Sequence, residues 1–159
     1  MSVMRTGIGY DSHRLVAGRR LVLGGVDLEA ARGLEGHSDA DVLTHAVIDA
    51  LLGAAALGDI GQHFPDDDPA FGGADSLALL RQTVSLVADA GYAVVNVDAT
   101  VLLERPKLGV YREAMRVNLA RELGVGVDRV SVKATRGEGM GFVGRGEGAA
   151  ALAVATLEG

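Results

Sequence analysis

Residues 39–59 read DADVLTHAVIDALLGAAALGD. Nearly every position is Ala, Val, Leu or Ile, and the apolar pattern predicts a buried helix over 39–57. One stripe breaks the pattern. Asp41, His45 and Asp49 recur every fourth residue, and four helical residues turn about 400°, so the three climb one slowly drifting face. A solvent face would be wider and would carry Lys, Glu or Arg. This stripe instead sets an imidazole between two carboxylates. Such an imidazole is either held by aspartate in a structural network or supplies a metal-ligand nitrogen, with an acceptor for its other ring nitrogen.

Outward from that helix, alternating or β-rich segments at 3–10, 20–28, 92–104 and 129–135 predict strands. Helical periodicity covers 74–90 and 110–123. The order implies an α+β sandwich, a mixed β-sheet with helices packed on one face, in a single domain over 1–159. The last segment, GEGAAALAVATLE, suits a helix by its alanines and a strand by its Ala-Val-Ala-Thr-Leu alternation. The loop GQHFPDDDPAFGGADS (61–76) carries two prolines and three consecutive aspartates. It is expected to be exposed, a connector ending in the N-cap of the next helix at Asp75 or Ser76. Gly139-x-Gly141-x-x-Gly144 has the form of a dinucleotide fingerprint, but a second parallel strand and an acidic residue about 20 positions on are missing, so NAD binding is rejected.

Composition narrows the chemistry. The 159 residues include no cysteine and no tryptophan, 4% aromatics and a net charge of −6. Without cysteine there are no disulfides, thiolate metal sites or cysteine nucleophiles, and any metal must be held by His, Asp and Glu. The acidic balance argues against a nucleic-acid partner, which would require many phosphate-neutralising cations. The apolar runs are too short and interrupted to span a bilayer, and MSVMRTGIGYDSH lacks a signal-peptide pattern, so a cytoplasmic protein is expected.

A metal set emerges from GYDSHRL. Asp11 and His13, two apart at the end of a strand, project to one face. With His45 they make one carboxylate and two imidazoles, leaving a fourth position open as in catalytic zinc sites. His37, in EGHSDAD, is the rival third ligand. It immediately precedes the helix, whose N-cap is expected at Ser38 or Asp39. His45 is therefore assigned to the metal, and His37 with Ser38 to an anionic ligand at the helix start.

With DSH, HSDAD, TH, GAAALGDIGQHFPDDDPAFGGADS, NVDATVLLERPKL, VKAT and GFVGRGEG, the chain resembles the 2-C-methyl-D-erythritol 2,4-cyclodiphosphate synthases over nearly its whole length. The resemblance implies a lyase of non-mevalonate isoprenoid biosynthesis. In its reaction the 2-phosphate of a cytidine diphosphate derivative of methylerythritol attacks the β-phosphorus and CMP leaves. It also implies that the last segment is a strand. Asp11, His13 and His45 would hold zinc, and Glu138 would meet a magnesium or manganese ion bridging the diphosphate. His37 and Ser38 would hold phosphate, Asp59, Ile60, Gly61, Phe64, Asp66 and Asp68 the erythritol, and Leu103 to Gly109, with Lys107, the cytidine. Ser12, Lys133, Thr135, Phe142 and Arg145 complete the implied substrate contacts, and His37, Thr135 and Arg136 the implied catalytic group. Family members are homotrimers with sites between subunits. Tyr10, Arg145 and Glu147 match positions around a cavity on the three-fold axis that implies isoprenoid diphosphate binding; the alternative is a plain Arg145–Glu147 ion pair.

The resemblance has one departure. The family pattern Lys-Ala-Thr-Thr-Thr-Glu is here Lys133-Ala134-Thr135-Arg136-Gly137-Glu138, so Arg136 replaces the middle threonine. It is either a phosphate clamp or a solvent-pointing side chain. Two other readings of the same residues stand beside the synthase. One is a non-haem iron enzyme with a 2-His-1-carboxylate site. The other is a non-catalytic trimeric module binding metal or prenyl phosphate.

Overall fold

The computed structural model describes residues 1–159. The predicted helix over 39–57 is α1 (Val42–Ala54), and it lies at the centre. Beneath it is a five-stranded mixed sheet made of β1 (Met4–Ala17), β4 (Arg32–Leu34), β5 (Ala93–Leu102), β6 (Val130–Thr135) and β7 (Gly148–Glu158), in the order β4-β1-β7-β5-β6. Only β5 and β6 run parallel, and α4 (Arg112–Leu123) joins them, as a parallel crossover requires. Above α1 lies α3 (Ser76–Asp89), which packs in turn on α4, so all three long helices share one face.

Small residues let α1 sit close to the sheet. Gly7 and Gly9 of β1 face it, and a Cβ at Gly9 would stand 1.9 Å from the Ala46 carbonyl oxygen. Along β7 the inward set is Ala149, Ala151, Ala153, Ala155 and Leu157, all essentially buried, while Leu152 and Val154 point outward. The alanines that make this segment resemble a helix are therefore a strand's inward row, chosen for the approach of α1. Leu43, Ile48, Leu51 and Leu52 fill the rest of the core around the helix, each contributing about 1.5–3 kcal/mol by burial.

Several boundaries differ from the sequence expectations. The strand predicted over 20–28 is a hairpin, β2 (Leu21–Leu23) and β3 (Val26–Leu28), in a separate two-stranded sheet. Gly24 and Gly25, both at positive φ, make the two-residue turn that splits it. β1 runs on to Ala17 because β4 pairs with its distal end. The N-cap of α1 is Asp41, not Ser38 or Asp39. Ala40 takes a left-handed φ of 56°, which keeps 38–40 out of the helix. The loop 61–76 is more than a connector: it contains α2 (Ile60–His63) at its start and a 3-10 turn (Pro69–Phe71), and it buries Phe64. A short helix α5 (Gly141–Gly144) precedes β7. No helix is long and apolar enough to cross a membrane.

The far side of the sheet carries no helix. Ile8 is 70% exposed and Tyr10 53%, beside the outward Leu152 and Val154.

Candidate active site

The close seat of α1 brings His45 over the end of β1. Asp11 and His13 point up from that strand, and the metal-ligating atoms of the three side chains lie within 4.8 Å of one another. One carboxylate oxygen, Asp11 Oδ2, faces both rings: His45 Nδ1 at 2.9 Å and His13 Nε2 at 3.1 Å. Tetrahedral zinc sets its ligands roughly 3.3 Å apart, close to the 2.9 and 3.1 Å from Asp11 to the two rings.

Hydrogen placement shows that this site calls for positive charge. His13 Nδ1 lies 2.7 Å from the Glu35 carbonyl oxygen, which can only accept, so that nitrogen carries the proton and donates it. Nε2 of the neutral ring then turns a lone pair on Asp11. His45 Nε2 lies 2.7 Å from Ser76 Oγ, and Ser76 donates its hydroxyl proton to Asp39. Nε2 of His45 must therefore donate as well, leaving a second lone pair toward Asp11. Either protons or one metal ion must lie between these groups. Burial opposes ionisation of Asp11, yet hydrogen bonds and charge from His13 and His45 outweigh it and hold the carboxyl at about 2. Burial likewise opposes the His13 imidazolium, but Asp11 overcomes it and raises that ring above the usual histidine value.

The polar stripe of α1 is divided among three tasks. Asp41 is fully buried and accepts from Gly24 N, Gly25 N, Thr44 N and Thr44 Oγ1, joining the β2–β3 turn to the helix start. Burial pushes its carboxyl up. Asp49 accepts from Ile60 N and anchors α2, and burial raises it also. Neither contacts the His45 ring, so the expected carboxylate partner on the same helix is replaced by Ser76 and, more weakly, Ser38 Oγ at 3.2 Å.

The triad opens into a cavity of about 310 Å³, lined also by Gly36, His37, Ser38, Ile60, Gly61, Phe64, Asp66, Phe71 and Leu79. His37 Nε2 donates to the Asp68 carbonyl and its own carbonyl accepts from Gly73 N, so it fastens the 64–73 loop over the cavity. Two residues expected to bind substrate are occupied locally: Asp59 caps α2 and Asp68 caps the 3-10 turn.

A second cavity, of about 230 Å³, lies toward the opposite edge of the sheet, where β5 and β6 end. Leu103, Lys107, Leu108, Gly109, Arg112, Thr135 and Arg136 line it. Arg136 Nε donates to Glu104 Oε1 at 3.2 Å, and Gly139 N approaches Glu104 Oε2 at 3.4 Å. Arg136 is thus tethered through Nε while its side chain stays about half exposed. Glu138 is exposed, with a φ of 54°. Asp11, Ala151, Val101 and Ala134 sit in one row across the sheet, so the two cavities are three strand spacings apart, roughly 14 Å.

The remaining expected contacts fall elsewhere in this chain. Lys133 points to the helix-free face, 2.9 Å from Asp98, because alternation from the buried Val132 sends it there. Ser12 lies opposite Asp11 on β1 and meets Phe142 and Glu147 in a separate hollow. Arg145 pairs with Glu147 at 2.9 Å and lines another hollow with Arg32 and Arg105. The sequence offers Ser76 and Asp39 only as helix caps. Their link spans 37 positions, and nothing local in the sequence announces it.

Known proteins resemble this chain in sequence and fold. A curated relative in Salinibacter ruber, named 2-C-methyl-D-erythritol 2,4-cyclodiphosphate synthase, is 64% identical over 155 residues, covering 98% of this chain and 99% of its own. The solved structure of the bifunctional IspDF from Campylobacter jejuni superposes with a TM-score of 0.95 at 42% identity, covering 99% of this chain, which spans 43% of that longer polypeptide. A solved 2C-methyl-D-erythritol-2,4-cyclodiphosphate synthase in its CDP-bound form matches with a TM-score of 0.88 and 39% identity over 96% of this chain and 99% of its own. Residues 4–158 match the profile of the YgbB family from the start of β1 to the end of β7, and the chain belongs to that family.

Proposed function

We propose that this protein is a 2-C-methyl-D-erythritol 2,4-cyclodiphosphate synthase, a cytoplasmic lyase of isoprenoid biosynthesis formed by one domain over residues 1–159. Its substrate is 4-diphosphocytidyl-2-C-methyl-D-erythritol 2-phosphate. An oxygen of the 2-phosphate bonds to the β-phosphorus, the bond from that phosphorus to the bridging oxygen breaks, and CMP departs with the oxygen and its electron pair. The carrying observation is the single cavity in which the cation-demanding Asp11–His13–His45 set meets Ser38 and His37.

Both reacting groups are already anionic at neutral pH, so the barrier lies in bringing like charges together and holding them in line. Zinc held by Asp11, His13 and His45, with magnesium or manganese met by Glu138 through the diphosphate, would neutralise that charge as Lewis acids. Ser38 and His37 orient phosphate beside the metal, while Ile60, Gly61, Phe64 and Asp66 wall the erythritol. Leu103 to Gly109, with Lys107, receive the cytidine, and Thr135 and Arg136 address the phosphates between. Arg136 can offer its free guanidinium nitrogens to phosphate while Glu104 keeps hold of Nε.

The 14 Å between the two cavities supports a site shared between subunits, and the exposed Ile8, Tyr10, Leu152 and Val154 supply an apolar face for a homotrimer. The Arg145–Glu147 pair favours a simple ion pair over an isoprenoid diphosphate ligand near the axis. Zinc-loaded protein is expected to release CMP from the substrate and to stop when chelated. A folded, zinc-loaded trimer that releases none would overturn the assignment. Metal analysis of natively purified protein separates zinc from the non-haem iron reading.

A further inference from the structure

We propose that Asp39 and Ser76 form a relay that dictates the tautomer of His45 and so presents Nδ1 as the metal-binding nitrogen. Both are positioning residues, and the inference rests on the metal-dependent reading above.

The argument is an accounting of protons. Asp39 faces three donors, the Ser76 backbone N–H, the Ser76 hydroxyl and the Asp41 backbone N–H, and therefore serves only as an acceptor. Ser76 has one hydroxyl proton, and Asp39 takes it. The lone pairs of Ser76 Oγ then face His45 Nε2 across 2.7 Å. An unprotonated Nε2 would set lone pair against lone pair in a site where Ser76 is fully buried and His45 8% exposed, a costly contact between two acceptors. The proton must sit on Nε2, and Nδ1, facing Asp11 across 2.9 Å, is the position left for a metal ion or a second proton.

A competing arrangement is close at hand. Ser38 Oγ lies 3.2 Å from the same Nε2. Were Ser38 to donate there, Nδ1–H would bond Asp11 directly, giving a neutral imidazole–carboxylate pair with no ligand nitrogen facing the cavity. The committed proton of Ser76 blocks that state. Ser76 also opens α3 immediately after the loop that His37 fastens, so the relay ties that loop's end to the metal ligand.

The test uses the full-length protein, with zinc affinity measured by chelator competition and the His45 ring nitrogens followed by NMR in the metal-free state. Ser76→Ala is expected to weaken zinc binding about 10- to 100-fold and to leave Nε2 of the metal-free ring unprotonated. Ser76→Thr, which keeps the hydroxyl, restores Nε2 protonation and most of the affinity. Asp39→Asn, whose amide can donate to Ser76 and free its hydroxyl proton for His45, shifts the tautomer in the same direction as Ser76→Ala, and it carries the test if Ser76→Ala does not fold. Unchanged zinc affinity with Nε2 still protonated in Ser76→Ala or Asp39→Asn would overturn the relay, as would equal losses in Ser76→Ala and Ser76→Thr. Because zinc alone is the probe, absence of CMP release in the unaltered protein would sink the synthase reading without touching this result.

Discussion

A methyl group on Gly9 would stand 1.9 Å from the carbonyl oxygen of Ala46, well inside van der Waals contact. The obstacle is helix backbone, which cannot swing aside. Gly9→Ala is therefore expected to lift α1 from β1 and destabilise the fold by about 3 kcal/mol. Urea unfolding measures this, and zinc affinity should fall with it, because His45 rides on α1 and its partners on β1. A variant as stable as the parent would show that the helix seat is looser than described.

Asp11 faces both ligand rings through one oxygen. Asp11→Asn removes that anionic ligand and puts an amide between two imidazoles. Zinc retention after dialysis and CMP release are both expected to drop by about 100-fold or more, while circular dichroism stays close to that of the parent.

Arg136 stands at the cavity between β5 and β6 with Nε on Glu104. Arg136→Ala should lower turnover at least about tenfold, with most of the loss in kcat if the guanidinium acts on the phosphoryl group in flight. Steady-state kinetics that match the parent would discard the clamp.

Stability at acid pH has an identifiable contributor away from the site. Glu122, on α4, is gripped by Arg81 of α3 through two hydrogen bonds of 2.8 and 2.9 Å. That grip, with help from Arg121, outweighs burial and lowers the Glu122 carboxyl below its ordinary value of 4.5. A lowered carboxyl stabilises the fold above its unfolded-state value, and the contribution disappears as pH falls from there through the folded value. Arg81→Ala should reduce the melting temperature at neutral pH by roughly 2–4 °C, and the gap between variant and parent should narrow as pH drops below about 4.5. A constant gap would contradict this assignment.

The helix-free face can be tested by charge. Ile8→Asp combined with Leu152→Asp should yield a folded monomer in sedimentation experiments and abolish CMP release. If the double variant remains a trimer, assembly uses another surface.

Much of this was readable from residue spacing. Period two placed Asp11 and His13 together, and the apolar run around His45 placed a helix against them. The same alternation, followed from Val132, turns Lys133 to the face that carries Asp98. The Gly24-Gly25 pair marked a hairpin that a longer apolar pattern hid. The partner of His45 was not legible, since a serine 31 positions away meets it only after α3 has packed over α1. Nor did spacing show that Asp41 would turn inward to cap α1 and bind the β2–β3 turn, because that task depends on the hairpin's location.

Ala40, with its left-handed backbone, separates two aspartates that serve different masters: Asp41 faces inward to the β2–β3 turn, Asp39 outward to Ser76. Adding or deleting one residue between them would pull one carboxylate away from its partners, since Gly24, Gly25 and Thr44 hold Asp41 while Ser76 holds Asp39.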